Sequence, residues 1–206
     1  MKKGIIFDWS GVITKNLESI YCLANNVLAQ FGVGKISLEE FRREWEQPYM
    51  LFYNKYVPDL TIGEEKKAFA KALKKCPRSQ PYPGMNEFLR KLKKTGADLL
   101  ILSSELLGYI EEEIDTLQIE NAFDKIYADV HDKEKVVKGI VAEQELDPNE
   151  SYFVGDTTHE IEAGKAAGLK TIGTLWGIHS REKLETVKPG FIAADLVELE
   201  KYLLER

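Results

Sequence analysis

The sequence predicts an α/β fold, a doubly wound, Rossmann-like parallel sheet with an inserted all-helical domain. Two observations predict it. Short apolar runs bounded by turn residues alternate with amphipathic helical patterns through most of the 206 residues, as is typical of buried parallel strands joined by crossover helices. Between residues 15 and 80 this alternation stops, and apolar positions follow helical spacing alone.

Each predicted strand is a short apolar run that ends in turn or capping residues. The runs are Gly4 to Phe7, Ala97 to Leu102, Lys125 to Ala128, Ser151 to Val154, Thr171 to Leu175 and Phe191 to Ala193. The predicted helices between them are Met85 to Thr95, Leu106 to Leu117, Lys133 to Glu145, Glu160 to Ala167 and Leu196 to Leu204. Their lengths suit crossover connections, so we expect the strands to be parallel.

The region after the first strand differs from the rest of the chain. Apolar residues from Leu17 to Phe31 form one helical stripe, Ser37 to Glu40 has the pattern of a capping box, and Glu64 to Lys75 predicts a further helix. A helical block that interrupts a series of strands and helices is best explained as an inserted cap. The predicted domains are an α/β core of residues 1–14 and 81–206 and a helical cap of residues 15–80.

Composition and charge exclude several classes of partner. The net charge is −6, the pI is near 5.3, and no long Lys/Arg cluster occurs, which argues against nucleic acid and anionic membranes. No apolar stretch reaches the roughly 18 residues of a membrane helix. We expect a small-molecule substrate, no nucleic acid and no membrane, with the protein a monomer or a homodimer.

The two cysteines indicate the compartment. Cys22 and Cys76 are far apart and match neither CxxC nor Cys/His spacing, so neither a disulfide framework nor a zinc site is predicted. The first residues also lack the apolar run of a signal peptide. These features predict a protein of the reducing cytoplasm.

Polar residues follow the predicted strands where a ligand is expected, because open parallel sheets bind ligands beyond the carboxyl ends of their strands. Asp8 follows the first strand, Ser103 and Ser104 follow the second, and Asp156 follows the fourth. Lys133 opens a helix. Phosphoryl transfer needs a carboxylate nucleophile, acidic residues for a divalent cation, and hydroxyl and ammonium groups for the phosphoryl oxygens. This inventory matches that reaction.

Four ordered segments also carry a family resemblance. FDWSGVI, LLILSSE, the helix-opening Lys133 and YFVGDTTHEIEAGKAAG resemble the motifs of the haloacid dehalogenase superfamily, in its phosphatase-like branch. The resemblance covers the core. The gap of 95 residues between Asp8 and Ser103 is the one with room for a cap, as in relatives that act on small soluble metabolites.

The resemblance implies a role for each matching residue. Asp8 is expected to attack phosphorus and form an aspartyl-phosphate, while Ser103 and Lys133 bind the phosphoryl group. Mg²⁺ is the expected cofactor, held by Asp8, Asp156 and the main-chain carbonyl of Ser10.

Other assignments stay open at this stage. Glu160, where relatives commonly have Asp, is expected to support the metal directly or through water. Ser104 is a weaker phosphate ligand than Ser103, and Lys135 is the alternative to Lys133. Trp9 follows the nucleophile and is expected near the substrate.

The second residue after the nucleophile departs from the family pattern. Phosphatases of the family usually have an Asp there, which protonates the leaving group and activates water, whereas this chain has Ser10. A hydroxyl is too weak an acid for that role, and losing a general acid/base lowers the rate by about 10²–10⁴.

Three interpretations therefore remain. The first is a phosphatase whose leaving group needs little protonation, or in which water or a cap residue supplies the proton. The second is another hydrolase of the superfamily, either phosphonatase-like or dehalogenase-like. The third is a binding or regulatory protein with weak turnover. The second interpretation requires a lysine in the cap that forms a Schiff base, for phosphonate cleavage, or an arginine in the cap, for dehalogenation. The candidate lysines are Lys15, Lys35 and Lys55, and the candidate arginines are Arg42 and Arg43.

Overall fold

The structure, a computed structural model, describes residues 1–130 and 132–205. The chain divides into two compact units. The core unit comprises Met1–Lys15 and Gln80–Arg206, and the helical unit comprises Asn16–Ser79.

The elements alternate as the sequence predicts. The strands are β1 (Gly4–Phe7), β2 (Thr14–Lys15), β3 (Gln80–Pro81), β4 (Asp98–Leu102), β5 (Lys125–Tyr127), β6 (Tyr152–Gly155), β7 (Lys170–Thr174) and β8 (Phe191–Ala193). The helices are α1 (Leu17–Ala29), α2 (Leu38–Glu44), α3 (Met50–Tyr56), α4 (Ile62–Ala72), α5 (Met85–Lys93), α6 (Leu107–Thr116), α7 (Lys133–Glu143), α8 (Thr158–Ala166), α9 (Arg181–Glu185) and α10 (Leu196–Leu204).

Within the described residues, six strands form one sheet in the order β5-β4-β1-β6-β7-β8, and every neighbouring pair is parallel. The predicted α/β, Rossmann-like fold class is confirmed, and each predicted strand lies within one residue of its expected ends. The sequence prediction did not include the short helices α3 and α9 or the antiparallel pair β2–β3, in which Thr14 faces Pro81 and Lys15 faces Gln80.

Helices cover both faces of the sheet, which explains why its strands are apolar throughout. Ile5 and Phe7 of β1 belong to one buried cluster, whereas Ile6 belongs to another with Leu100 and Phe153. Successive side chains of a strand point to opposite faces, so both faces need apolar residues when both are covered. The central strand β1 is fully buried and fixes the residue that follows it.

The helical unit has its own aromatic core. Phe41 and Phe52 are fully buried, with their ring centroids 5.5 Å apart. Ser37 caps α2 by accepting a hydrogen bond from the N–H of Glu40, and Thr61 forms a complete capping box with Glu64 at the start of α4. Side-chain oxygens thus satisfy free N–H groups at these helix ends.

Cys22 and Cys76 form a disulfide in the helical unit, so the prediction of no disulfide is wrong for this pair. Their separation of 54 residues along the chain carried no signal, because folding brings α1 beside the end of the unit. Disulfides persist mainly in oxidising compartments and in some hyperthermophiles. The expected cytoplasmic location therefore stays a prediction. Among the described residues, no helix is long and apolar enough to cross a membrane.

Candidate active site

Three neighbouring strands end at one edge of the sheet and deliver the predicted polar residues there. Phe7 is in register with Ile101 of β4 and with Val154 of β6, and the N–H of Asp8 donates to the carbonyl of Val154 at 2.9 Å. Asp8, Ser103 and Asp156 therefore follow adjacent strand ends. All three side chains are buried.

Lys133 brings a positive charge to the site. It is the first residue of α7, its side chain is 1% exposed, and its Nζ lies 2.8 Å from Oδ1 of Asp8 and 2.8 Å from Oε1 of Glu160. Burial lowers the pKa of a lysine, but the two carboxylates outweigh it and raise the pKa of Lys133. Lys135, the alternative, is 83% exposed and pairs with Asp132. The structure brings Lys133 and not Lys135 to the acidic residues.

Asp8, Asp156 and Glu160 form a compact group of acids. Each offers a carboxylate oxygen within 4.8 Å of the other two, and all three residues are buried. Burial raises the pKa of Asp8 to about 6, although Lys133 acts in the opposite direction. Burial and the neighbouring carboxylates Glu160 and Asp8 also raise the pKa of Asp156. These carboxylates therefore repel one another unless a cation or protons neutralise them.

Glu160 is held by hydrogen bonds through both of its oxygens. Its Oε2 accepts from the main-chain N–H of Thr157 at 3.0 Å and from the hydroxyl of Thr157 at 2.5 Å, within the capping box that opens α8. Its Oε1 accepts from Lys133. Burial would raise its pKa, but Lys133 and Thr157 lower the pKa of Glu160 to about 2. Glu160 is thus a carboxylate that anchors the lysine.

The carboxylate of Asp156 lies in a space that two glycines leave open. Its Oδ2 accepts a hydrogen bond from the N–H of Ile178 at 2.7 Å. A Cβ at Gly11 or at Gly177 would lie 2.2 Å from this oxygen. Sequence reasoning missed both glycines, because the approach of their backbones to Asp156 appears only in the folded chain.

The donor set fits a hard divalent cation such as Mg²⁺, which binds carboxylate and carbonyl oxygens. Within the described residues, hydrogen bonds engage Oδ1 of Asp8 and Oδ2 of Asp156. Oδ1 of Asp156 is therefore available for a metal, and Oδ2 of Asp8 is available for a ligand.

Ser10 has a carboxylate neighbour that sequence reasoning missed. Its hydroxyl donates to Oε1 of Glu105 at 3.2 Å, and Glu105 is half-buried. The N–H of Glu105 donates to Oγ of Ser103 at 3.1 Å. Burial raises the pKa of Glu105. Glu105 stands two residues after Ser103, but nothing in the sequence pairs it with Ser10.

Trp9 contacts Asp8 through its main chain. Its N–H donates to Oδ1 of Asp8 at 2.8 Å, while its indole N–H donates to Oε2 of Glu113 at 2.6 Å. The ring is fully buried in the core cluster. Contact of Trp9 with substrate stays a prediction, as does phosphate binding by Ser104, which is half-buried after β4.

Comparison with known proteins adds the decisive observation. The sequence profile of the haloacid dehalogenase-like hydrolases matches residues 5–174. The chain belongs to this family. The predicted membership in the superfamily's phosphatase-like branch is thus confirmed, and the protein is a hydrolase of that branch.

Two curated relatives and one solved structure illustrate the similarity. A phosphoglycolate phosphatase of Aquifex aeolicus is 29% identical over 95% of each chain. A pyrophosphatase of Bacillus velezensis is 31% identical over 57% of each chain. The crystal structure of a predicted phosphatase from Clostridium acetobutylicum has a TM-score of 0.81 and 19% identity, with both chains fully covered. This structural match supports the same fold.

Proposed function

We propose that the protein is a Mg²⁺-dependent phosphatase that hydrolyses a small phosphorylated metabolite through an aspartyl-phosphate on Asp8. The observation that carries the proposal is the position of Asp8. It follows the central strand, contacts Lys133 at 2.8 Å and belongs to a buried group with Asp156 and Glu160.

The chain's own residues suit both steps of that reaction. Lys133 and the Trp9 N–H hold Oδ1 of Asp8, which leaves Oδ2 to form a bond to phosphorus while the bond to the leaving oxygen breaks. Lys133 and the Ser103 hydroxyl bind the phosphoryl oxygens. Water then cleaves the aspartyl-phosphate and releases inorganic phosphate.

A bound metal would neutralise negative charge on the carboxylates and on the phosphoryl group. Asp8, Asp156 and the Ser10 carbonyl would hold Mg²⁺, which would supply positive charge to the phosphoryl oxygens. Glu160 supports the site by fixing Lys133.

Glu105 supplies the proton that Ser10 cannot. A general acid is expected to be a carboxyl with a raised pKa within hydrogen-bond reach of the leaving oxygen. Burial raises the pKa of Glu105, and the Ser10 hydroxyl contacts its carboxylate at 3.2 Å. We propose that Glu105 acts through Ser10, which moves a proton between the carboxyl and the leaving oxygen.

Two observations bear on the phosphonatase- and dehalogenase-like alternatives. A Schiff base needs a neutral amine, whereas Nζ of Lys55 lies 2.9 Å from Glu46 and 3.4 Å from Glu44. Arg43 also pairs with Glu44, at 2.7 Å. Both side chains therefore have acidic partners inside the helical unit. Binding without turnover is the second candidate function, and the replacement of the usual Asp by Ser10 favours it.

The names of the relatives suggest two substrates, phosphoglycolate and pyrophosphate. Both are small anions, which agrees with the proposed class of substrate.

The test is phosphate release from both compounds, a panel of sugar phosphates and p-nitrophenyl phosphate, with Mg²⁺ and with EDTA. Asp8→Asn is compared with Asp115→Asn, a control on the exposed face of α6. Release that requires Mg²⁺ and Asp8 but not Asp115 supports the proposal. Folded protein that binds Mg²⁺ and phosphate esters without hydrolysing any of them supports the binding function instead.

A further inference from the structure

Trp9 is fixed at both its main chain and its side chain. The ring is fully buried, packs edge-on against Phe123 with the centroids 6.2 Å apart, and donates its indole N–H to Glu113 at 2.6 Å. The main-chain N–H of the same residue donates to Oδ1 of Asp8. One residue thus connects the proposed nucleophile to α6.

Glu113 is unusual for its place in the helix. It lies on the buried face of α6 between Ile110 and Ile114 and is 9% exposed. Packing alone favours an apolar residue at such a position, because a buried carboxylate needs a hydrogen-bond partner. The indole N–H of Trp9 is that partner, so the hydrogen bond to Trp9 accounts for a carboxylate at this buried position.

The carbonyl of Trp9 extends this connection to the following turn. It accepts hydrogen bonds from the N–H of Ile13 at 2.9 Å and of Thr14 at 3.2 Å. The turn between them contains Ser10 and Gly11, which lie beside Glu105 and Asp156. A shift of the Trp9 main chain would therefore move both the N–H that donates to Asp8 and this turn.

We propose that Glu113 is a positioning residue, which holds Trp9 so that its N–H fixes Oδ1 of Asp8 and directs the other oxygen to phosphorus. The inference rests on the proposed function. In-line attack needs the reacting atoms in near contact, and a displacement of about 1 Å lowers a rate about 10²-fold. Glu113 acts through Trp9 and does not touch the substrate.

The experiment compares Glu113→Leu, Glu113→Gln and Trp9→Phe, with Glu112→Leu as the matched control because Glu112 is the exposed neighbour on α6. We expect Glu113→Leu and Trp9→Phe to lower kcat about 10- to 100-fold, with KM within about twofold of wild type. Glu113→Gln retains an oxygen that accepts the indole N–H, so it should keep most of the activity. Glu112→Leu should match wild type.

A second readout does not depend on turnover. The indole N–H resonance of Trp9 in a ¹⁵N-labelled sample, assigned with Trp9→Phe, should shift in Glu113→Leu and stay near its wild-type position in Glu113→Gln. If Glu113→Leu does not fold, Glu113→Gln and Trp9→Phe still decide between the outcomes.

Four results separate this inference from the proposed function. A folded Glu113→Leu with wild-type kcat, or a Trp9→Phe with wild-type kcat, overturns the positioning role. An inactive Glu113→Gln with an unshifted indole resonance also overturns it, since the contact then persists without its effect. If Asp8→Asn retains full activity, the proposed function itself fails.

Discussion

Nζ of Lys133 lies 2.8 Å from Oδ1 of Asp8 and equally far from Oε1 of Glu160. The ammonium thus joins the end of the central strand to the first turn of α8. Asp156 is the third buried carboxylate of this group, and its oxygen lies within 4.8 Å of those of Asp8 and Glu160. When all three acids are ionised, two negative charges remain, which a divalent cation balances.

Replacing Lys133 with Met should lower the stability of the metal-free protein by about 3–5 kcal/mol, because removal of one member of a buried ion pair leaves its partners uncompensated. Urea unfolding in EDTA measures this. Lys135→Met is the control, since Lys135 is exposed, and should change stability by less than about 0.5 kcal/mol. Equal effects of the two substitutions would contradict the assignment of Lys133 to the site.

Affinity for Mg²⁺ should weaken as the pH falls below about 6. Burial raises the pKa of Asp8 to about 6 and also raises the pKa of Asp156, so protons compete with the metal in acid. The apparent Kd should rise about tenfold per pH unit for each proton displaced. Calorimetric titration between pH 5 and 8 tests this. Asp8→Asn should show a shallower dependence, and a pH-independent affinity would refute the prediction.

Gly177→Ala should damage the metal site more than the fold. The added Cβ would lie 2.2 Å from Oδ2 of Asp156 and so displace this carboxylate. We expect Mg²⁺ affinity or kcat to fall at least about tenfold, since a small displacement of a metal-binding carboxylate has a large effect on binding and on rate. Gly139→Ala, at an exposed position of α7 with nothing within 4 Å of the added atom, is the control. Similar losses in both variants would mean a general effect.

Ser10→Asp should raise the hydrolysis of esters with poor leaving groups, because it restores the acid that the family usually has. The gain is at most about 10²–10⁴, the usual effect of a general acid/base. The new carboxyl would lie beside Glu105, which now accepts from Ser10 at 3.2 Å. Rates across phenyl phosphates of rising leaving-group pKa measure the effect. No gain with the poorest leaving groups would show that Glu105 already supplies the proton.

Reduction of the Cys22–Cys76 disulfide should destabilise the helical unit by about 2–4 kcal/mol, because the bond restricts the unfolded chain. Unfolding curves with and without dithiothreitol measure it. The double variant Cys22→Ser/Cys76→Ser should be insensitive to the reductant. If wild type is equally insensitive, the bond contributes nothing in solution.

The local pattern of apolar and turn residues in the sequence predicts most of the strands and helices. Strands such as β1 and β6 are apolar throughout because both faces of the sheet are covered, and this leaves a clear signal in the sequence. The short pair β2–β3 leaves none, since two residues per strand are too few for any period. The helix α9, five residues long, is missed for the same reason.

The sequence likewise predicts some residues of the site and misses others. Asp8, Ser103 and Asp156 were predictable because each ends a strand, and the edge of a parallel sheet brings strand ends together. The buried or half-buried carboxylates that contact the residues beside them were not predictable. Glu105 meets Ser10 across 95 residues and Glu113 meets Trp9 across 104, so only the folded chain shows these contacts.

The pairing of β2 with β3 has an evolutionary consequence. Because Thr14 faces Pro81 and Lys15 faces Gln80, the core chain departs and returns at adjacent points. An inserted segment can therefore be replaced by another at this point without disturbing the strands that precede Asp8 and Asp156. Selection can then change the helical unit while the strands of the core and the residues that follow them stay the same.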